Sequence, residues 1–273
     1  MLQGYEGDDY MSYETILYEP KGPIAYVTLN RPRVLNAYND TMADELLQAH
    51  RAFDQDDDLH VLIISGAGRA FCSGADVRQR QLRPVDELKR LGGPAGGIRP
   101  AGGLLGIGQA VNWKPIIAAV HGYVLGAGFA LAMATDVIVA AAGTKFQIRE
   151  VQRGIGGAQH WATTWFWGGG RFATEIALTG RYFTAEEACQ FGIVNRVVPQ
   201  EQVLAEAERL AQEIMQNPPL SVRANVRASR WFVRRMEEEA LYYQGGLKLH
   251  LTEDFRESAQ AFMEKRPPEF RGR

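Results

Sequence analysis

The sequence predicts an α/β fold followed by a helical C-terminal region. Three observations carry that reading. Short β-branched and aromatic runs alternate with segments of helical period, glycine-containing turns join the two, and beyond residue 198 only helical patterns recur. Of the 273 residues, 46% are hydrophobic and 23% charged, so one large domain, or a domain with an appendage, can bury a sizeable core.

Residues 1–13 are acidic and polar and read as a loose tail rather than a leader, since no basic start precedes an apolar run. The run 24–29, Ile-Ala-Tyr-Val-Thr-Leu, ends at Asn30-Arg31-Pro32 and reads as a strand entering a turn. Asn39, Asp40 and Thr41 are good caps for a helix whose apolar face is Met42, Leu46, Ala49 and Phe53 and which stops in the acidic stretch 54–58. A second strand, 61–64, runs into Ser65-Gly66-Ala67-Gly68, and a further glycine turn follows at 71–76. Across 78–108 the apolar period dissolves into Gly92-Gly93-Pro94 and Pro100-Ala101-Gly102-Gly103, which predicts an irregular, mobile segment that encloses substrate. Strand 115–120, glycine turn 121–128, helix 129–135 and strand 137–141 then repeat the earlier unit.

Farther on, Thr184 and Glu187 form a capping box for a short helix closed by Gly192. Val203, Ala207, Leu210 and Ile214 mark one face of the next helix, which ends at Asn217-Pro218-Pro219, and two or three more helices follow. The organisation expected is a tail over 1–13, a sheet-containing core over 14–198 and a helical region over 199–273.

Thirty basic residues against 32 acidic ones leave a net charge of −2, which offers no global field for nucleic acid or an anionic membrane. Two cysteines, Cys72 and Cys189, are too few for a disulfide framework. The most apolar stretch, 116–142, is broken by His121, glycines and Asp136, so no membrane span is expected and a cytoplasmic setting is. No His/Asp/Glu cluster has metal-ligand spacing, and neither a Walker A motif nor a strand-borne dinucleotide fingerprint is present.

Two strand-to-helix turns, Ser73-Gly74-Ala75-Asp76 and Leu125-Gly126-Ala127-Gly128, expose backbone N–H groups where small residues admit a ligand. The first amides of a helix lack intrahelical partners, so a developing negative oxygen is stabilised there. If both turns faced one point they would form a two-donor oxyanion hole; spacing alone leaves open that the glycines serve only tight packing.

Several blocks occur in the order found in one family: Arg31-Pro-Arg-Val-Leu-Asn36, Ala70-Phe-Cys-Ser-Gly-Ala-Asp76, Lys114-Pro-Ile-Ile-Ala-Ala-Val-His-Gly-Tyr-Val-Leu-Gly-Ala-Gly128, Asp136, Glu150 with Gly154, and Leu178-Thr-Gly180. Over residues 14–270 the chain resembles the crotonase (enoyl-CoA hydratase/isomerase) superfamily. The resemblance implies a spiral core of strand-strand-helix turns and a C-terminal helical region that supports trimers or dimers of trimers. It implies an acyl-CoA thioester substrate and no permanently bound cofactor, coenzyme A entering as part of the substrate. It also implies that the thioester oxygen sits between the amides of Ala75 and Ala127, the second a position where the family usually has glycine.

Glu150 aligns with the second of two glutamates used by enoyl-CoA hydratases, whereas the first is replaced by Ala130. Hydration needs one group to activate water and another to deliver a proton; a double-bond shift needs one carboxylate that takes a proton at one carbon and returns it at another. A single Glu150 therefore favours isomerisation. The alternatives are hydration, thioester hydrolysis or C–C cleavage with a second group such as His160, or a catalytically silent CoA-binding oligomer. His160 otherwise has a packing role, and an Arg149 turned inward would depress the Glu150 pKa, while one facing solvent would not.

For the coenzyme, the family pattern maps onto Arg33 and Val34, onto Ser73, Ala75, Asp76, Val77 and Arg78, and onto Phe262 and Lys265 of the C-terminal helix, often supplied by a neighbouring subunit. His121 reads as supporting the site, and Asp76 as a helix cap. Trp161, Trp165, Phe166 and Trp167 are candidates for a wide acyl pocket or for packing. A basic stretch at 223–235 raises an RNA-binding reading that the neutral total weakens.

Overall fold

The computed structural model describes residues 13–94 and 110–273. Its strands are β1 (Ile16–Lys21), β2 (Ile24–Leu29), β3 (Val61–Gly66), β4 (Ile116–Val120), β5 (Tyr123–Leu125), β6 (Val137–Ala141), β7 (Lys145–Gln147), β8 (Tyr182–Thr184) and β9 (Arg196–Val198). Its helices are α1 (Asp40–Gln55), α2 (Val77–Arg80), α3 (Val85–Leu91), α4 (Ala127–Met133), α5 (Ala158–Gly168), α6 (Gly170–Thr179), α7 (Ala185–Gln190), α8 (Val203–Met215), α9 (Pro219–Gly245) and α10 (Glu253–Glu264). A six-stranded sheet has the order β1-β2-β3-β4-β6-β9, and a three-stranded sheet the order β5-β7-β8.

In the larger sheet only the β1–β2 pair is antiparallel, and the rest are parallel. Parallel strands are covered on both faces, and the apolar side chains alternate accordingly. Leu62, Ile64, Ile116, Ala118 and Val120 point into the main core with the buried face of α1, while Val61, Ile63, Ile117, Ala119 and Val139 point to the opposite face. That second face is closed by Val203, Ala207 and Ala211 of α8. The helical region thus begins by sealing the sheet.

Each inner strand hands the chain to a short extended segment in the second layer before a helix begins. β4 leads to β5 and α4, and β6 to β7. The bridges Cys72 to Val124 and Tyr38 to Ala75 show the same step after β3 and β2. The result is a series of strand-strand-helix turns in which the helix-entry ends of the second layer lie side by side. Local signals position these ends. The Asn39 side chain accepts from Met42 N to start α1, and the Thr184–Glu187 capping box starts α7.

Two expectations change. Tyr13, placed in the tail, packs against the main core, and residues 1–12 lie outside the described residues. The segment from 78 holds α3, with Leu88 buried and Gly92 closing the helix in the left-handed region at φ 73°; a single buried side chain gave no period to read. The remainder of that glycine-rich segment, 95–109, lies outside the described residues. Cys72 is fully buried, and burial pushes its thiol up to about 12, which removes it as a nucleophile near neutrality. No helix among the described residues is long and apolar enough to cross a membrane.

Candidate active site

Register brings the two glycine turns together. Cys72 bridges Val124, and Val124 pairs with Phe146, all in parallel. Two residues farther along each segment stand Gly74, Gly126 and Ile148, so Ala75, Ala127 and Glu150 emerge at one end of the second layer. The contact is close: a Cβ on Gly74 would lie 3.1 Å from the Leu125 carbonyl oxygen and 3.9 Å from Ala127 N, and one on Gly126 would lie 3.3 Å from Glu150 Oε1. Both glycines have positive φ, 105° and 49°, which a side chain would strain.

Among the described residues, neither the Ala75 nor the Ala127 N–H donates to a protein acceptor. Ala127 is the first residue of α4, where the helix leaves its amides unpaired. The adjacent amide, Asp76 N, donates instead to Tyr38 O at 2.9 Å. Both turns border a cavity of about 1480 Å³ that reaches from Val34 to the C-terminal helices.

Two carboxylates line this cavity among the described residues, Asp76 and Glu150. Asp76 is committed elsewhere, since it caps α2 through Gln79 N and pairs with Arg31 at 3.3 Å. Glu150 is not. Its Oε1 lies 3.3 Å from His160 Nε2 without hydrogen-bond alignment, and its buried Oε2 has no partner among the described residues. The His160 ring stacks on Phe129, with centroids 6.2 Å apart. Gly157 backs the carboxylate: a Cβ there would lie 3.5 Å from Glu150 Cβ. Ala130, in place of a second acid, also faces the cavity.

Of the residues expected for the coenzyme, Val34, Ser73, Ala75, Asp76, Val77, Arg78 and Phe262 line the cavity. Arg33 and Lys265 do not. Arg33 is exposed in the 3-10 turn Pro32–Val34, and Lys265 is exposed just past α10, in the left-handed region at φ 56°. The Phe262 ring is covered by Arg153 of its own chain at 4.0 Å. His121 bonds to Gly68 O at 2.9 Å, away from the cavity. None of Trp161, Trp165, Phe166 and Trp167 reaches the lining, because α5 turns Gln159 and His160 toward the cavity and the aromatic run outward; Trp161 Nε1 donates to Thr174 Oγ1 instead.

Of the two orientations open to Arg149, the structure has the inward one. It lines the cavity with its guanidinium 5.9 Å from Phe262 and does not pair with Glu150. Sequence reasoning passed over Arg153, although it stands three residues after Glu150, within one helical turn. Gln244 of α9 had no signal at all. Its amide clamps the turn that leads into α5, accepting from Ala158 N at 2.8 Å and donating to Gly156 O at 3.0 Å. Gln244→Leu should strand both groups and cost about 1–3 kcal/mol, seen as a lower melting temperature. A melting temperature equal to the parent's would contradict the clamp.

Residues 19–273 match the family model described as Enoyl-CoA hydratase/isomerase. The chain belongs to that family. Mevalonyl-coenzyme A hydratase of Aspergillus fumigatus is 37% identical, over 92% of this chain and 93% of that protein. The 2,3-dehydroadipyl-CoA hydratase of Escherichia coli is 35% identical, over 92% of this chain and 96% of that one. Among solved structures, carnitinyl-CoA hydratase from Mycobacterium avium superposes with a TM-score of 0.80 at 30% identity, over 96% of this chain and all of that one. The hydratase/isomerase family acts on CoA thioesters, and the mixed α/β architecture with helical C-terminal region is that of its crotonase-type members.

Proposed function

We propose that this family member moves a proton within an acyl-CoA thioester, with Glu150 as the single acid/base and the enolate oxygen held by the N–H groups of Ala75 and Ala127. The observation that carries the reading is that Glu150 is the one uncommitted carboxylate in the described lining and lies against Gly126, beside one of the two free amides. Double-bond isomerisation is the preferred reaction. For a 3-enoyl thioester, the Glu150 carboxylate takes the proton from the carbon next to the thioester, and the negative charge spreads onto the carbonyl oxygen between the amides. The resulting carboxylic acid returns that proton to the far end of the conjugated system, giving the 2-enoyl thioester with nothing added or lost.

The coenzyme would run along Val34 and Ser73–Arg78, and the exposed Trp231, Phe232, Tyr242 and Tyr243 of α9 support a homotrimer or dimer of trimers. Hydration is the second reading, favoured by the 3.3 Å approach of His160 to Glu150, which offers a second titratable group where Ala130 offers none, and by the hydratase names of the relatives. Incubation with matched 2-enoyl-CoA and 3-enoyl-CoA separates them. Isomerisation is expected to leave the mass unchanged while conjugated absorbance appears from the 3-enoyl thioester. A gain of one water from the 2-enoyl thioester, with no isomer formed, would replace this reading by hydration.

A further inference from the structure

We propose that Arg149 and Arg153 form an anion-reading subsite beside Glu150, so that the preferred acyl group carries a carboxylate and the substrate is a dicarboxylic acid's CoA thioester. Both side chains line the cavity, on either side of the residue that faces the reacting carbons. Their guanidinium groups converge on one aromatic ring, Phe262, at 5.9 Å and 4.0 Å from its centroid. Neither forms a salt bridge with a carboxylate among the described residues, whereas Arg80, elsewhere in the lining, pairs with Asp40. Arg149 Nε is buried with no partner among the described residues, and Arg153 has a single long bond, 3.4 Å, to the Ser258 carbonyl.

Two like charges brought this close destabilise each other. Burial, and then the neighbouring Arg149, hold the Arg153 guanidinium down at about 10. Glu150 offsets part of that charge but must stay free to exchange a proton. A second carboxylate arriving with the substrate would satisfy the forked donors and relieve the repulsion, and guanidinium groups suit a planar carboxylate better than lysine does. A coenzyme phosphate is the other candidate anion; the place of both arginines beside the base Glu150 favours the acyl end.

This inference rests on the reading that the acyl chain lies beside Glu150, and its test uses binding, not turnover. Calorimetry would compare saturated pairs of equal length, hexanoyl-CoA against adipyl-CoA and octanoyl-CoA against suberyl-CoA. The parent should bind the carboxylated member of at least one pair roughly tenfold or more tightly, and Arg153→Met should bring that ratio close to one. Should Arg153→Met fail to fold, Arg149→Met, whose side chain makes no protein hydrogen bond among the described residues, reads the same ratio. A parent ratio near one for both pairs, or a ratio that survives in the double variant, overturns the proposal. So does an equal loss of affinity for free coenzyme A, which would assign the arginines to the phosphates. Glu150→Gln should keep the ratio, so an error about the base shows in catalysis and an error here shows in the ratio.

Discussion

Glu150→Gln should lower turnover of the productive enoyl-CoA by about 10²–10⁴-fold, the usual worth of a positioned acid/base. The change is nearly isosteric and removes only the capacity to take and return a proton. The fold has little reason to respond, since Oε2 has no protein partner among the described residues and Oε1 only approaches His160 at 3.3 Å. Affinity for a saturated acyl-CoA should therefore stay within a few-fold of the parent, so the loss falls on kcat. Full activity in the variant would remove Glu150 as the base. Proton transfer would then have to pass to His160, the nearest titratable neighbour.

Ala127→Pro is the sharpest way to delete one of the two amides. Proline is well tolerated at the first position of a helix, where its missing N–H is one the helix cannot use and its fixed φ suits the helical backbone. Ala127 occupies that position in α4, after the flexible Gly126. Loss of one donor to the developing oxyanion should cost about 10²–10³ in kcat. A melting temperature close to the parent's would show that the helix start survived. Parental turnover in a folded variant would mean that the thioester oxygen is held elsewhere, and the proposed chemistry would lose its charge stabiliser.

Much of the inner sheet was readable because its signals are local. The run 24–29 coincides with β2, and the Thr184–Glu187 box starts α7 where its two side chains dictate. β1 went unread: as an edge strand it carries Glu19, Pro20 and Lys21 and buries Ile16 alone to any depth, so it has no apolar alternation to find. The site divides the same way. Glu150 and the glycine turns are visible as motifs, yet their meeting depends on pairing Cys72 with Val124, a contact between distant parts of the chain that no window of sequence contains. The direction of Arg149 and the Gln244 clamp depend on where α9 and α10 dock, which is set by packing rather than by any nearby pattern.

One wall of the chamber is made by the last helices of the chain, which the proposed proton transfer does not use. Leu241 and Lys248 from the end of α9 and beyond, with Phe262 and Met263 from α10, border the cavity, whereas Ala75, Ala127 and Glu150 come from the turns of the second layer. Part of what admits a thioester is therefore carried on polypeptide separate from the reacting groups, facing the arginines that flank the base. A lineage, or an engineer, can retailor which thioesters are admitted by redrawing the last two helices and leave the bond-making apparatus as it was inherited.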